Sequence, residues 1–414
     1  LTAEPAQALG STLPLWSALP FAGFLFSLAA VPLVAPGFWS KRYGLVALAF
    51  GLPVAAWFLF AAPRELLHTA TEYVSFLLLL AALFTISGGI LVRGTFRGTT
   101  AVNAAFLAGG GLLANVLGTT GASMLLLRPL LRANAGRKRS AHVFVFFIFA
   151  VSNIGGALTP IGDPPLFLGF LKGVPFFWTA KALWPVWLFT LATVVGAFAA
   201  VDHRIAKADG EAPHAGKAIP LSVDGLVNVP LLAAVIGSVF LPTPWREGAM
   251  AAATGLSVLL TPRKVREENG FTWHPIKEVA ILFAAIFATM MPALLILQAR
   301  GGELGVAQPW QFFWASGLLS SFLDNAPTYL TFFSLAQGVG HGAGIAGVPG
   351  PLLAAISAGS VFMGANSYIG NAPNFMVKAI AEESGIRMPT FVGYMGWSSA
   401  VLLPVFALAT LLFF

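Results

Sequence analysis

Cysteine is absent from all 414 residues. That excludes a disulfide framework and any thiolate metal site. Charge is scarce too: Asp, Glu, Lys and Arg make up only 9% of the chain, against roughly 25% in soluble domains. No basic face is interleaved with exposed aromatics, so nucleic acid is not an expected partner despite a net charge of +7. Neither a nucleophile–base pair nor a motif such as HExxH occurs, which argues against an enzyme. No resident cofactor is expected.

Hydrophobic residues are abundant, at 57%. They form repeated runs of about 20 residues, the length that crosses about 30 Å of hydrocarbon. The composition therefore predicts an all-α polytopic membrane protein whose first partner is the lipid bilayer. Spans are expected over 14–35, 44–61, 73–92, 141–171, 182–201, 222–241, 247–262, 275–298, 351–384 and 389–414. Two further apolar runs, 101–131 and 309–337, break in the middle and read as re-entrant hairpins.

Leu1 opens the chain, followed by the polar, small segment TAEPAQALGST, which resembles the stretch after a cleaved signal peptide. That would put the N-terminus outside. Threading from there leaves Arg64, Lys172, Lys181, Arg246 and Arg300 outside, and the rest of the 23 Lys and Arg on the cytoplasmic side. The bias is strongly positive-inside. Each half then holds five spans and one hairpin. Five is odd, so the second half is inverted relative to the first. The first repeat covers 1–200 (helices 14–92, hairpin 101–131, broken helix 141–171), and a cytoplasmic linker covers 201–219. The second covers 220–414 (helices 222–298, hairpin 309–337, broken helix 351–384). His203 and His214 in the linker read as solvated, because no second cluster supports a metal site.

A short segment occurs twice. Residues 156–165 read GALTPIGDPP and residues 364–373 read GANSYIGNAP. Gly156, Ala157, Ile161, Gly162 and Pro165 match Gly364, Ala365, Ile369, Gly370 and Pro373, while Asp163 faces Asn371. Paired Gly/Pro interruptions in corresponding halves point to a transport site. Each broken span is about 30 residues long, which as one helix would measure about 45 Å. Glycine and proline stop it, leaving half-helices around an unwound middle. Unwound backbone survives in a membrane only where it is buried in protein or lines a wet cavity. Half-helix carbonyl ends with hydroxyl and amide oxygens suit a hard cation such as Na⁺; half-helix N-termini suit an anion.

Two acids sit inside these elements, Asp163 and Asp324. A mid-membrane carboxylate costs roughly 3 kcal/mol or more and is functional by default, although either acid could instead cap a half-helix. No Lys, Arg or His lies in the interrupted segments, which favours a cationic substrate. An acid out of water needs a proton or a bound cation, and competition between the two gives antiport. Asp163 and Asp324 are thus the expected proton- and cation-binding carboxylates of a Na⁺ site. Thr119, Thr120, Asn153, Thr159, Asn325, Thr328, Asn366, Ser367, Asn371 and Asn374 would supply neutral oxygens.

The motifs SNIGGALTPIGDPP, SSFLDNAPTYL and GANSYIGNAPN resemble the ion transporter superfamily. It includes NhaD-type sodium/proton antiporters, citrate transporters, arsenite efflux carriers and dicarboxylate carriers. The resemblance spans nearly the whole chain and is strongest to bacterial sodium/proton antiporters and citrate transporters. It implies two inverted repeats, with hairpins and broken helices forming a mobile transport domain. It also implies a dimerising scaffold, an elevator-like motion, and residence in the bacterial inner membrane as a homodimer. Carried over by residue, Asn153, Thr159 and Asp163 fall on the first broken-helix motif, Asp324, Asn325 and Thr328 on the second hairpin tip, and Asn366, Ser367, Asn371 and Asn374 on the second broken helix. The dicarboxylate carriers place Ser-Asn-Thr at both tips, where this chain has Gly118-Thr119-Thr120 and Asp324-Asn325-Ala326. That departure counts against dicarboxylates and leaves citrate or another anion open. The expected function is exchange of Na⁺ or Li⁺ for H⁺; the alternative is Na⁺- or H⁺-coupled citrate or carboxylate symport.

Overall fold

In hydrocarbon the backbone must satisfy its own N–H and C=O groups, so long apolar runs become helices. The computed structural model describes residues 9–94, 96–209 and 222–414. His214, the later part of the linker and the first residues of the opening segment lie outside the described residues. Among those described, eight helices are long and apolar enough to cross a membrane.

The chain opens with α1 (Leu19–Val34), α2 (Pro36–Ala61) and α3 (Pro63–Ser87), the last two each starting with proline at the first helical position. Proline suits that place because its missing N–H would have had no partner there. The span expected at 73–92 thus begins ten residues earlier and stops at Ser87. Beyond it, β1 (Leu91–Arg93) pairs antiparallel with β2 (Ser222–Asp224). Residues 91–92 and 222–224, expected inside spans, are therefore a short ladder, and α8 (Asn228–Ser238) has only 11 residues.

Helix α4 (Thr100–Asn134) folds back on itself at Gly118, whose φ of 76° and ψ of 156° no helix tolerates. Asn103 and Asn134 exchange side-chain hydrogen bonds of 2.9 and 2.8 Å, so the two arms lie side by side. Next come α5 (Ala141–Ala150), a 3₁₀ turn (Ile154–Leu158), α6 (Pro164–Leu171) and α7 (Trp178–Asp209). The linker expected from residue 201 is helical up to Asp209. The reason is Asp202: it is fully buried and holds Arg137 at 2.6 Å and His142 Nε2 at 2.7 Å. His203 lies on this helix and is exposed.

After α8 follow α9 (Trp245–Leu260), the short α10 (Arg263–Glu268) and α11 (His274–Arg300). A second hairpin follows, α12 (Pro309–Ser320) and α13 (Asn325–Val339), with the rings of Phe312 and Phe332 touching across its arms. Then come α14 (Gly350–Phe362), a 3₁₀ turn (Met363–Asn366), α15 (Ala372–Glu383) and α16 (Phe391–Phe413).

Burial is graded along the chain. In α2 only 17% of the apolar window is covered, whereas in Ala141–Leu158 the share is 89%. Between these extremes lie the hairpin α4 at 44%, α3 at 50% and α11 at 61%. Leu45, Leu48, Leu52, Leu59 and Phe60 of α2 stay exposed, as a lipid-facing surface requires. The half-helices α5 and α14 are buried along most of their length and form the interior. Close packing there uses small side chains, as is usual between membrane helices. α12 lies against the Gly/Ala/Ser-rich α14, with Ser320 Oγ donating to the Ser360 carbonyl at 2.6 Å.

Candidate functional site

Four chain breaks meet at one buried centre. The first is the hairpin tip at Gly118. Thr119, next to it, donates its backbone N–H to the Gly162 carbonyl at 2.8 Å, pinning the tip to the first broken helix.

The second and fourth breaks carry the repeated segment, and they fold alike. Each half-helix ends in a 3₁₀ turn and continues into one extended residue, Thr159 at φ −135° or Ser367 at φ −138°. Each chain then doubles back on itself. A Cβ on Gly162 would lie 2.2 Å from the Gly156 oxygen, and one on Gly370 2.5 Å from the Gly364 oxygen. Asp163 and Asn371 follow as N-caps of α6 and α15, at φ −145° and −153°.

An N-cap side chain normally accepts from the second or third amide of its helix. Neither Asp163 nor Asn371 does. Pro164 and Pro165 have no N–H to offer, nor has Pro373, and the Leu166 N–H goes to the Asp163 backbone carbonyl at 3.1 Å. The Asp-Pro-Pro sequence thereby frees the carboxylate to face inward. At the third break the sequence is Asp-Asn-Ala-Pro, and Asp324 caps α13 by accepting from Ala326 N–H at 3.0 Å.

Asp163 is 1% exposed. Its Oδ1 accepts from Thr119 Oγ1 at 2.8 Å and from Asn371 Nδ2 at 3.3 Å, and its Oδ2 accepts from Asn325 Nδ2. Three of the four breaks thus donate to a carboxylate that the remaining break carries. No Lys, Arg or His pairs with it among the described residues. A further ring of amides supports these donors. Asn371 Nδ2 also reaches the Ser152 carbonyl at 3.1 Å and Asn153 Oδ1 at 3.3 Å. Asn153 donates to Asn374 Oδ1 at 2.7 Å, and Asn374 in turn to the Gly364 and Ser367 carbonyls. Two buried carbonyl oxygens, Asn325 Oδ1 and Asn366 Oδ1, have no partner among the described residues. Such an orphaned acceptor is costly unless a ligand or water meets it.

A cavity of about 120 Å³ adjoins the centre. Thr119, Thr120, Asp324 and Asn371 form its polar wall, and Leu80, Leu83, Phe84, Val279 and Phe283 its apolar one. It is smaller than the roughly 300–1,000 Å³ of small-molecule sites, but ample for several waters or a partly hydrated ion.

A family model described as "putative citrate transport" matches residues 10–414. The chain belongs to this family. A search of curated proteins gives no match. Family membership and the apolar helices together make this a multi-pass membrane transporter.

The expected site residues divide by what they touch. Thr119, Asn325 and Asn371 bond directly to Asp163; the Asn153 side chain stands one bond further out and that of Asn374 two. Asp324 and Thr120 line the cavity. Thr159 Oγ1 donates to the Asn115 carbonyl at 2.6 Å, and Thr328 Oγ1 to the Asp324 carbonyl at 2.9 Å, so both bond to backbone. Asn366 and Ser367 bond to Ser321, at 2.9 and 2.5 Å. Asn115, Ser152 and Ser321 were not singled out from sequence. Asn115 Oδ1 accepts the Leu158 N–H at 2.9 Å and so fastens the 3₁₀ turn. Its place in the apolar run just before Gly118 was the available signal.

Proposed function

We propose that the protein is a secondary transporter that exchanges Na⁺ or Li⁺ for H⁺. The observation that carries this reading is Asp163: a buried carboxylate with three neutral hydrogen-bond donors and, among the described residues, no basic partner. A carboxylate in that setting is neutralised by a proton or by a cation, and the two compete for the same oxygens. A cation displacing the Asn325 or Asn371 donors would gain both carboxylate oxygens. By rotation of its amide, it would also gain the oxygen of Asn325 that now lacks a partner. Asp324, at the cavity wall, would draw the cation in and hand it to Asp163.

The reading extends to the architecture. Two inverted halves, 1–200 and 220–414, would place the paired breaks at mid-membrane from opposite sides. The hairpins and broken helices would move together past the outer helices in an elevator-like step, in a homodimer of the bacterial inner membrane. The matched geometry around Gly162 and Gly370, and the deep burial of α5 and α14 beside the exposure of α2, support this.

Coupled citrate or carboxylate symport is the second reading, and two observations favour it. One is the family description. The other is the convergence of helix N-termini at Thr119, Pro164, Asn325 and Ala372, whose partial positive charges suit an anion. Against it, a tricarboxylate beside Asp163 would meet like charge in a narrow cavity.

Proteoliposomes with an imposed pH gradient separate the two. Dissipation by Na⁺ or Li⁺, without citrate, is the expected result. Transport evoked only by citrate would overturn the antiport reading in favour of symport.

A further inference from the structure

A second cavity, of about 830 Å³, lies at the far end of α5 from Asp163. Arg132, Arg137, Lys138, Arg139 and Arg387 stand on its wall, and among the described residues no carboxylate does. Two of these charges are met from behind: Arg137 pairs with Asp202 at 2.6 Å and Arg139 with Asp209 at 2.5 Å. Arg132 donates to the Val92 carbonyl at 2.7 Å, which leaves its charge uncompensated. Lys138 and Arg387 are exposed and form no ion pair among the described residues. A concave wall of one sign focuses the field and concentrates counter-ions.

We infer that this cavity binds a phosphate-bearing anion, either an anionic phospholipid headgroup or free phosphate. Its position suits the first source. The wall is made by the ends of apolar helices, and Trp397 stands on it, as aromatics do at membrane interfaces. Leu131, Ile205 and Ile386 add an apolar floor for the glycerol and first acyl carbons. Basic pockets between helices are suited to lipid headgroups for the same reason. Lys138 precedes the first broken helix and Arg387 follows the second. An anion held between them ties both broken helices together at one end. This site is separate from the Asp163 centre and does not depend on which ion is transported.

The test uses the full chain in neutral detergent, followed by thermal unfolding during titration with phosphatidylglycerol, phosphatidylcholine or inorganic phosphate at constant ionic strength. Phosphatidylglycerol is expected to raise the midpoint and phosphatidylcholine to leave it unchanged. In Lys138→Gln/Arg387→Gln the half-saturating lipid concentration should rise at least about tenfold, since each base at an anionic surface is worth roughly fivefold. A shift by inorganic phosphate that the double variant loses would retain the site and assign it to the free anion. Absence of a shift with both ligands, or an equal shift in the double variant, would overturn the inference. Both side chains are exposed, so the variant should fold. Lys138→Arg/Arg387→Lys, which keeps the charge, should bind as the parent does.

Discussion

Asn371 donates a hydrogen bond of 3.3 Å to Asp163, and the two residues occupy the same position in the repeated segment, 208 residues apart. Residues matched in sequence are thus partners in space. Both are N-caps robbed of their usual capping amides by proline, so both side chains turn inward to the same point. A pair of asparagines there would be neutral and self-sufficient. Replacing one by aspartate creates a charge that the surrounding amides can solvate but not cancel.

Asp163→Asn restores the neutral pair. It is expected to abolish Na⁺-driven dissipation of a pH gradient in proteoliposomes while leaving a monodisperse, folded protein by size exclusion. Exchange at the parent rate would remove Asp163 from the transport step.

Asp324→Asn asks a different question. Asparagine caps a helix about as well as aspartate, so α13 should keep its start and only the charge at the cavity wall is lost. The expected result is a several-fold rise in half-saturating Na⁺ with exchange retained. If the variant matches the parent, Asp324 is a cap alone.

The four breaks were legible because Gly or Pro there stands beside Thr, Asn or Asp in an otherwise apolar run; proline alone does not end a helix, since Pro53 and Pro404 lie inside α2 and α16. Asp163 and Asp324 were legible as acids inside the breaks, but which of them caps its half-helix was not: Asp324 accepts from Ala326 N–H, and the Asp163 side chain caps nothing. What the sequence concealed depends on distant partners. Asp202 looked like the start of a polar linker, yet Arg137 and His142, some sixty residues away, make it a buried anchor and extend α7. Likewise β1 and β2 are three-residue strands that exist only because they meet.

If a proton and Na⁺ compete for Asp163, lowering the pH raises the half-saturating Na⁺ concentration. Where the protonated form dominates, the rise should approach tenfold per pH unit, with the maximal rate little changed. A half-saturating concentration independent of pH over two units, measured by the same dissipation of a pH gradient in proteoliposomes, would separate proton binding from cation binding.

The reversal at Gly162 is a steric matter. A Cβ there would lie 2.2 Å from the Gly156 oxygen, in backbone that cannot yield without moving Asp163. Gly162→Ala should lose exchange and lower the unfolding midpoint. Gly237→Ala, in α8 with nothing within 4 Å, should do neither.

The Arg137–Asp202 pair is the buried anchor at the start of α5, with exposures of 5% and 0%. Breaking such a pair leaves an uncompensated charge and costs about 3–5 kcal/mol, whereas removing both partners for apolar groups costs much less. Asp202→Asn should therefore lower the unfolding midpoint in detergent by more than Arg137→Met/Asp202→Leu does. The single variant strands a guanidinium whose other bonds, to the Gly98 carbonyl at 3.2 Å and Asn134 Oδ1 at 3.4 Å, are too long to hold its charge alone. The double variant strands no carboxylate or guanidinium and leaves His142, Thr100 and the Gly98 carbonyl to find new partners. If the two variants unfold together, the pair is exposed to water often enough to act as a surface ion pair, and α5 is held from its other end by the amides around Asp163.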